Sequence, residues 1–125
     1  PTEVRKVDGF HMAYLWGYNG QYPVAKVENA TYVEVMATGV DLTVLGSTSS
    51  TESAKLAELN KIRNHSSMSN AMVTTYTYDP LVGVSTVTDP RGVKTSYDYD
   101  SFNRLEFIKD ETGKLLEEYK YHYKN

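Results

Sequence analysis

Tyr76, Tyr78, Tyr97, Tyr99, Tyr119, Tyr121 and Tyr123 stand in runs spaced two residues apart, and Met12, Tyr14, Trp16 and Tyr18 repeat that spacing. In an extended chain, residues two apart share a face. The spacing therefore predicts rows of aromatic rings on neighbouring strands. Aromatic faces stack on sugar rings, and phenol hydroxyls hydrogen-bond to sugar hydroxyls, so the chemistry such rows offer is glycan recognition. The candidate binding residues are Tyr14, Trp16, Tyr18, Tyr76, Tyr78, Tyr97, Tyr99 and Tyr121, with Trp16 as the largest platform. The competing reading is cross-strand packing. Each ring can bury roughly 150–250 Å², and at about 25 cal/mol per Å² that is several kcal/mol. Packed aromatic rows are commoner than exposed ones, so packing is the stronger reading.

Other reactive types carry less. Asp79, Asp89, Asp100 and Asp110 sit in turn sequences, where aspartate bonds its own backbone. Calcium loops need several oxygens within one short segment, and no such dense run exists. His11, His65 and His122 are far apart, without ligand spacing or cysteine partners. The serines between Ser47 and Ser53 form no nucleophile elbow. Asn29-Ala30-Thr31 and Asn64-His65-Ser66 match the glycosylation triplet, which is frequent by chance. An enzyme would need acid–base partners from the turn aspartates or from Glu117 and Glu118, and nothing separates these from solvated charges. No catalytic residue, metal site or cofactor is expected.

The elements that position the rings are periodic. Tyr76, Tyr78, Asp79, Val84, Val87, Asp89 and Gly92 each find a counterpart 21 residues on, at Tyr97, Tyr99, Asp100, Leu105, Ile108, Asp110 and Gly113. A third copy opens at Tyr119-Lys120-Tyr121. Asp89-Pro90-Arg91-Gly92 reads as a type I turn, and Asn103 suits a left-handed turn position. Between the turns, Val93, Thr95, Tyr97 and Tyr99 alternate with Lys94, Ser96 and Asp98. Strands joined by tight turns predict an antiparallel meander. Upstream, Asn19-Gly20 predicts a two-residue hairpin turn returning along Tyr22 to Glu28. Ala13, Leu15, Ala25 and Val27 make that hairpin apolar on its second face, which requires a cover.

Residues 31–66 supply the cover. Thr31 and Glu34 predict a capping box opening a helix through about Ala37, stopped by Gly39. Asp41 to Leu45 forms another single turn. Ser49 with Glu52 predicts a second capping box for a helix to about Asn64, with Ala54, Leu56, Leu59 and Ile62 inward. Lys55, Glu58, Lys61 and Arg63 are expected to be mostly solvated. The chain is thus expected to be one α+β domain: an aromatic hairpin over 1–30, a helical insertion over 31–66, and tandem repeats over 71–125.

Composition sets the bounds. The chain has 125 residues, enough for one domain. Its net charge is −3 and its pI about 5.6, without the basic stripe of a nucleic-acid binder. It has no cysteine, hence no disulfide framework. No apolar run is long enough to span a membrane as a helix. It opens Pro1-Thr2-Glu3 without methionine and reads as an internal fragment.

The Tyr-Asp pairs at 78–79 and 99–100, each followed by an apolar strand and Asp-x-x-Gly, resemble the YD repeats of RHS-type proteins. Tyr14 to Pro23 and Thr88 to Val93 also resemble segments of bacterial members, particularly those of Bacteroidetes. One departure is Asn103-Arg104-Leu105, where such repeats commonly carry Gly-Arg-Leu. The resemblance implies a mainly antiparallel meander of YD-type hairpins. It implies a non-enzymatic scaffold and interaction module of a larger secreted or cell-surface protein. Some members of the family enclose toxic domains in a shell, and others have been linked to carbohydrate or cell-surface binding. The expected partners are the rest of the parent repeat protein, other copies through the sheet edges, and glycans in the alternative reading. No nucleic acid is expected. No catalytic residue is carried over.

Overall fold

The computed structural model describes residues 3–5 and 11–121. The expected strand positions of His122 and Tyr123 lie outside the described residues. Eight strands form a single sheet in chain order, each antiparallel to the next. They are β1 (Glu3–Arg5), β2 (His11–Gly17), β3 (Tyr22–Glu28), β4 (Met72–Asp79), β5 (Gly83–Thr88), β6 (Lys94–Tyr99), β7 (Leu105–Lys109) and β8 (Leu115–Glu118). Three helices stand between β3 and β4: α1 (Tyr32–Met36), α2 (Leu42–Gly46) and α3 (Glu52–Asn64), followed by a 3-10 turn at Ser66–Met68. The architecture is α+β, a meander interrupted by a helical insertion. Strand β1 carries no strong sequence signal of its own.

The helix ends are local chemistry. Thr31 Oγ1 accepts from Glu34 N at 3.2 Å, and Glu34 Oε1 accepts from Thr31 N at 2.9 Å, which completes the expected capping box. Asp41 caps α2 through Thr43 N at 2.9 Å. Helix α3 departs from expectation. Thr51, not Ser49, is its cap, accepting from Ala54 N at 3.0 Å. Ser49 is held instead by Ser47 Oγ at 3.1 Å, inside its own loop.

The insertion covers one face of the first half of the sheet. Ala13, Leu15, Val24, Ala25, Val27 and Val73 bury against Val35, Val40, Leu45, Leu59, Ile62 and Met68. Towards β5 this inner face becomes hydroxylic: Thr75, Thr77, Thr86 and Thr88 are all buried. A threonine fits a pleated surface but needs its hydroxyl satisfied. Arg63 and Glu52 of α3 do this, Arg63 Nη2 donating to Thr75 Oγ1 at 3.1 Å and Glu52 Oε1 accepting from Thr77 Oγ1 at 3.0 Å. Strands β6 and β7 are half-buried throughout and β8 is exposed, so the cover ends before them.

Two helix residues expected in solvent are corrected. Lys55 is only 2% exposed. Its Nζ donates to Ser47 O at 2.6 Å and Ser50 O at 3.1 Å and lies 4.7 Å from the Tyr18 ring centre. Burial pulls its ammonium pKa below the usual lysine value. Arg63 is half-buried and ties α3 to the sheet, Nη1 donating to Val73 O and Asp89 O, both at 2.8 Å. In both cases carbonyls of loops and strand ends capture the cation.

The first hairpin is also corrected. Its connection is not a two-residue Asn19-Gly20 turn. Tyr18, Asn19 and Gly20 all take left-handed backbone, with φ of 52, 61 and 76°. Gln21 N donates to Gly17 O at 3.0 Å, so four residues join β2 to β3. The amides of Tyr18 and Asn19 leave the ladder to reach Leu45 O and Gly46 O, at 2.8 and 2.7 Å. The end of α2 thereby sets the turn.

Candidate interaction site

Three aspartates close the repeat turns in one way. Asp89 Oδ1 accepts from Arg91 N and Val93 N, Asp100 Oδ1 from Phe102 N and Arg104 N, and Asp110 Oδ1 from Thr112 N and Lys114 N, all between 2.8 and 3.0 Å. The left-handed residue of each turn is Gly92, Asn103 or Gly113. The Val93 N–H chiefly holds the Asp89 carboxyl below the usual range, and the Thr112 hydroxyl chiefly does so for Asp110. At Asp100 burial pushes upward and is outweighed by the Arg104 and Phe102 N–H groups. Asp79 differs. Its turn places Leu81 left-handed, at φ 67°, and Leu81 N points to Tyr22 Oη at 3.4 Å rather than to the aspartate.

The second tyrosine of each pair spans two hairpins. Tyr78 Oη donates to Pro23 O at 2.7 Å, Tyr99 Oη to Val84 O at 2.8 Å, and Tyr121 Oη to Leu105 O at 2.7 Å. Each accepting carbonyl lies where a ladder has stopped. The β3–β4 pairing ends at Ala25 and Thr75, the β5–β6 pairing at Thr86 and Ser96, and the β7–β8 pairing at Phe107 and Glu118. The phenol takes the place of the missing backbone donor and fixes one hairpin to the one before it. The residue preceding each acceptor lies against the ring. Tyr22 stacks on Tyr78 with centroids 4.6 Å apart, Gly83 leaves room where a Cβ would stand 2.4 Å from Tyr99 Oη, and Arg104 Cζ lies 4.0 Å over Tyr121.

Burial, then the neighbouring Tyr76, Tyr18 and Tyr22, pushes the Tyr78 phenol up to about 12. An unfolded tyrosine titrates near about 10, so the fold favours the neutral phenol. The stability this supplies is intact below about pH 10 and is lost as pH rises towards 12. Alkaline titration is expected to show a group of late-ionising phenols, since Tyr18, Tyr99 and Tyr119 are raised as well, with Tyr78 the latest and its ionisation coinciding with loss of tertiary near-ultraviolet circular dichroism. Tyr78→Phe should remove that late step.

Beside this contact the strands splay into an open cleft of about 590 Å³. Tyr78 and Tyr99 stand at its wall, Glu52, Asp79 and Asp98 supply carboxylates, and Pro80, Ser85 and Tyr97 complete the lining. Glu52 accepts from the hydroxyls of Thr77 and Ser85. Lys109 Nζ meets Asp98 Oδ2 at 3.0 Å. Among the described residues no group of three metal-ligating side chains could hold a metal ion.

Residues 82–115, which span β5 to the start of β8 and hold all three aspartate turns and the Tyr99 contact, match the family model described as RHS Repeat. The chain carries an RHS repeat. No curated protein and no solved structure shows a significant match to it.

The RHS repeat and its upstream neighbours divide the eight expected ring residues into groups. By register, Tyr14 and Trp16 lie opposite the helix-covered Ala13 and Leu15, and Tyr76 and Tyr97 likewise face away from buried Thr75, Thr77 and their row. Trp16 is 45% exposed. Tyr78, Tyr99 and Tyr121 commit their hydroxyls to backbone. Tyr18 is corrected: it leaves the stripe at the turn and is buried, its Oη accepting from Tyr78 N at 2.8 Å. The cleft residues Glu52, Ser85 and Asp98 were not among the expected site residues. Glu52 lies 33 positions from Ser85, so only the fold joins them. The even spacing of Asp98 from Ser96 was the one local signal for that wall.

Proposed function

We propose that the chain is a non-enzymatic scaffold and interaction module of a larger secreted or cell-surface RHS/YD-repeat protein. The observation that carries this reading is the phenol-to-carbonyl contact made three times, by Tyr78, Tyr99 and Tyr121. A contact of this kind ties each hairpin to the one before it, as in repeat arrays whose units meet only their neighbours. RHS repeats are structural units, and the matched segment commits Asp89, Asp100 and Asp110 to turns. Strand β8 closes the described sheet with Leu115 and Leu116 about half exposed, at 46% and 54%. A bare edge of this kind pairs with another strand. The isolated chain is therefore expected to self-associate through an edge. Sedimentation should show the average mass rising with concentration, and a monomer across a wide range would count against the reading. No helix among the described residues is long and apolar enough to cross a membrane.

A second reading is a glycan-binding outer face. Trp16, exposed and beside Tyr14 on the face opposite the helices, supports it. Indole emission should change on titration with a recognised glycan, and constant emission across bacterial and host glycans would remove it.

A further inference from the structure

Successive repeats hold one position in two different states. In the later repeat, Arg104 occupies a seat: its Nε donates to Asp100 Oδ2 at 3.0 Å and its Cζ lies 4.0 Å over the Tyr121 ring. Twenty-one residues earlier, Gly83 stands in the place of Arg104 and Asp79 in that of Asp100, while Tyr99, 22 residues before Tyr121, makes the hydroxyl contact that Tyr121 makes later. The carboxylate and the ring remain without a guanidinium, and the ring lies over Gly83 where that side chain would begin. Asp79 is exposed and makes no ion pair among the described residues, since its turn does not return backbone N–H groups to the carboxylate. The 590 Å³ cleft opens at this place. Glu52 faces it with hydroxyl partners only, and among the described residues the cation that meets a carboxylate of the cleft is Lys109, on Asp98. Tyr99 fills the room directly above Gly83, so an incoming group enters from the open side of the cleft, where Glu52, Asp79 and Asp98 stand.

We propose that this cleft receives the guanidinium of an arginine presented by a partner polypeptide, in the role Arg104 plays for its own repeat. A planar guanidinium matches the site better than an ammonium does. It stacks on a tyrosine face while donating to a carboxylate at its edge. Excess negative charge in the cleft draws the cation in, and the same chemistry repels acidic segments. This assignment rests on comparing the repeats and is independent of edge pairing, so the sedimentation result does not decide it.

The test is an NMR titration of the chain with N-acetyl-arginine amide, its lysine counterpart, and the neutral isostere N-acetyl-citrulline amide. The arginine compound is expected to shift the Gly83 amide and the Tyr99 ring signals. It should bind about tenfold more tightly than the citrulline compound, as a charge-assisted contact requires. Lysine should fall between them. Asp79→Asn is expected to weaken arginine binding about tenfold, while Glu111→Gln, which removes an exposed carboxylate elsewhere, should leave it unchanged. Equal binding of arginine and citrulline compounds, equal effects of the two substitutions, or no shift at Gly83 and Tyr99 would each overturn the assignment.

Discussion

Replacing Tyr78 with alanine should cost about 3–5 kcal/mol of folding stability, as for a large aromatic removed from a packed site. The ring stacks on Tyr22, meets Tyr18 edge-on at 5.5 Å, and packs against the buried cluster under the helices. Phenylalanine at the same position keeps those contacts and removes one hydroxyl. It leaves Pro23 O without its donor, which should cost about 1–2 kcal/mol. The same change along the repeats should weaken in order. Tyr99→Phe removes an equivalent bond at a less enclosed site, and Tyr121→Phe removes one from a residue 40% exposed, where water can replace it at about 0.5 kcal/mol or less. Urea unfolding midpoints at constant slope measure all three. A reversed order would mean that the phenol contact does not stabilise the joints between hairpins.

Lys55→Met is the second large effect, expected at about 2–4 kcal/mol. Methionine matches the lysine stem, so the loss reports on the ammonium. Ser50 O would lose its side-chain donor and Ser47 O would keep only the Ser50 hydroxyl at 3.3 Å, and an unpaired buried acceptor costs about 1–3 kcal/mol. The contact with Tyr18 would be lost as well. Lys61→Met is the control: Lys61 is exposed and pairs at 2.8 Å with the half-buried Glu58, and a solvent-facing pair along a helix contributes up to about 1 kcal/mol. Similar midpoints for the two variants would show that Lys55 is solvated in solution.

The periodic part of the fold was legible because its causes are local. A turn aspartate needs only the amides two and four residues on, and a left-handed position needs only glycine or asparagine there. Asp89, Asp100 and Asp110 therefore declared themselves by spacing. The capping box at Thr31 and Glu34 was readable for the same reason. What escaped notice depended on distant partners. Helical spacing places Lys55 and Arg63 beside the apolar stripe but does not say which carbonyls the neighbouring loop and sheet leave bare. Tyr18 has the right type and spacing for the outer row, yet the end of α2 takes its backbone amide and turns it inward. Ser49 looked like a cap until Ser47 claimed it. The cleft joins the first turn of α3 to the ends of three strands, so no window of sequence contained it.

The insertion shelters only the early strands, and its consequence is uneven wear along the ribbon. Strands β6 to β8 pair only with the strands beside them, so an opening at β8 need not disturb the sheltered end. Amide protons of β7 and β8 should exchange with solvent through shallow, local openings, while those of β2 to β4 should wait for rupture of the helix-capped body. The protein would then behave as an anchored root bearing a pliant tip, with the pliant end free to be remodelled by whatever it meets.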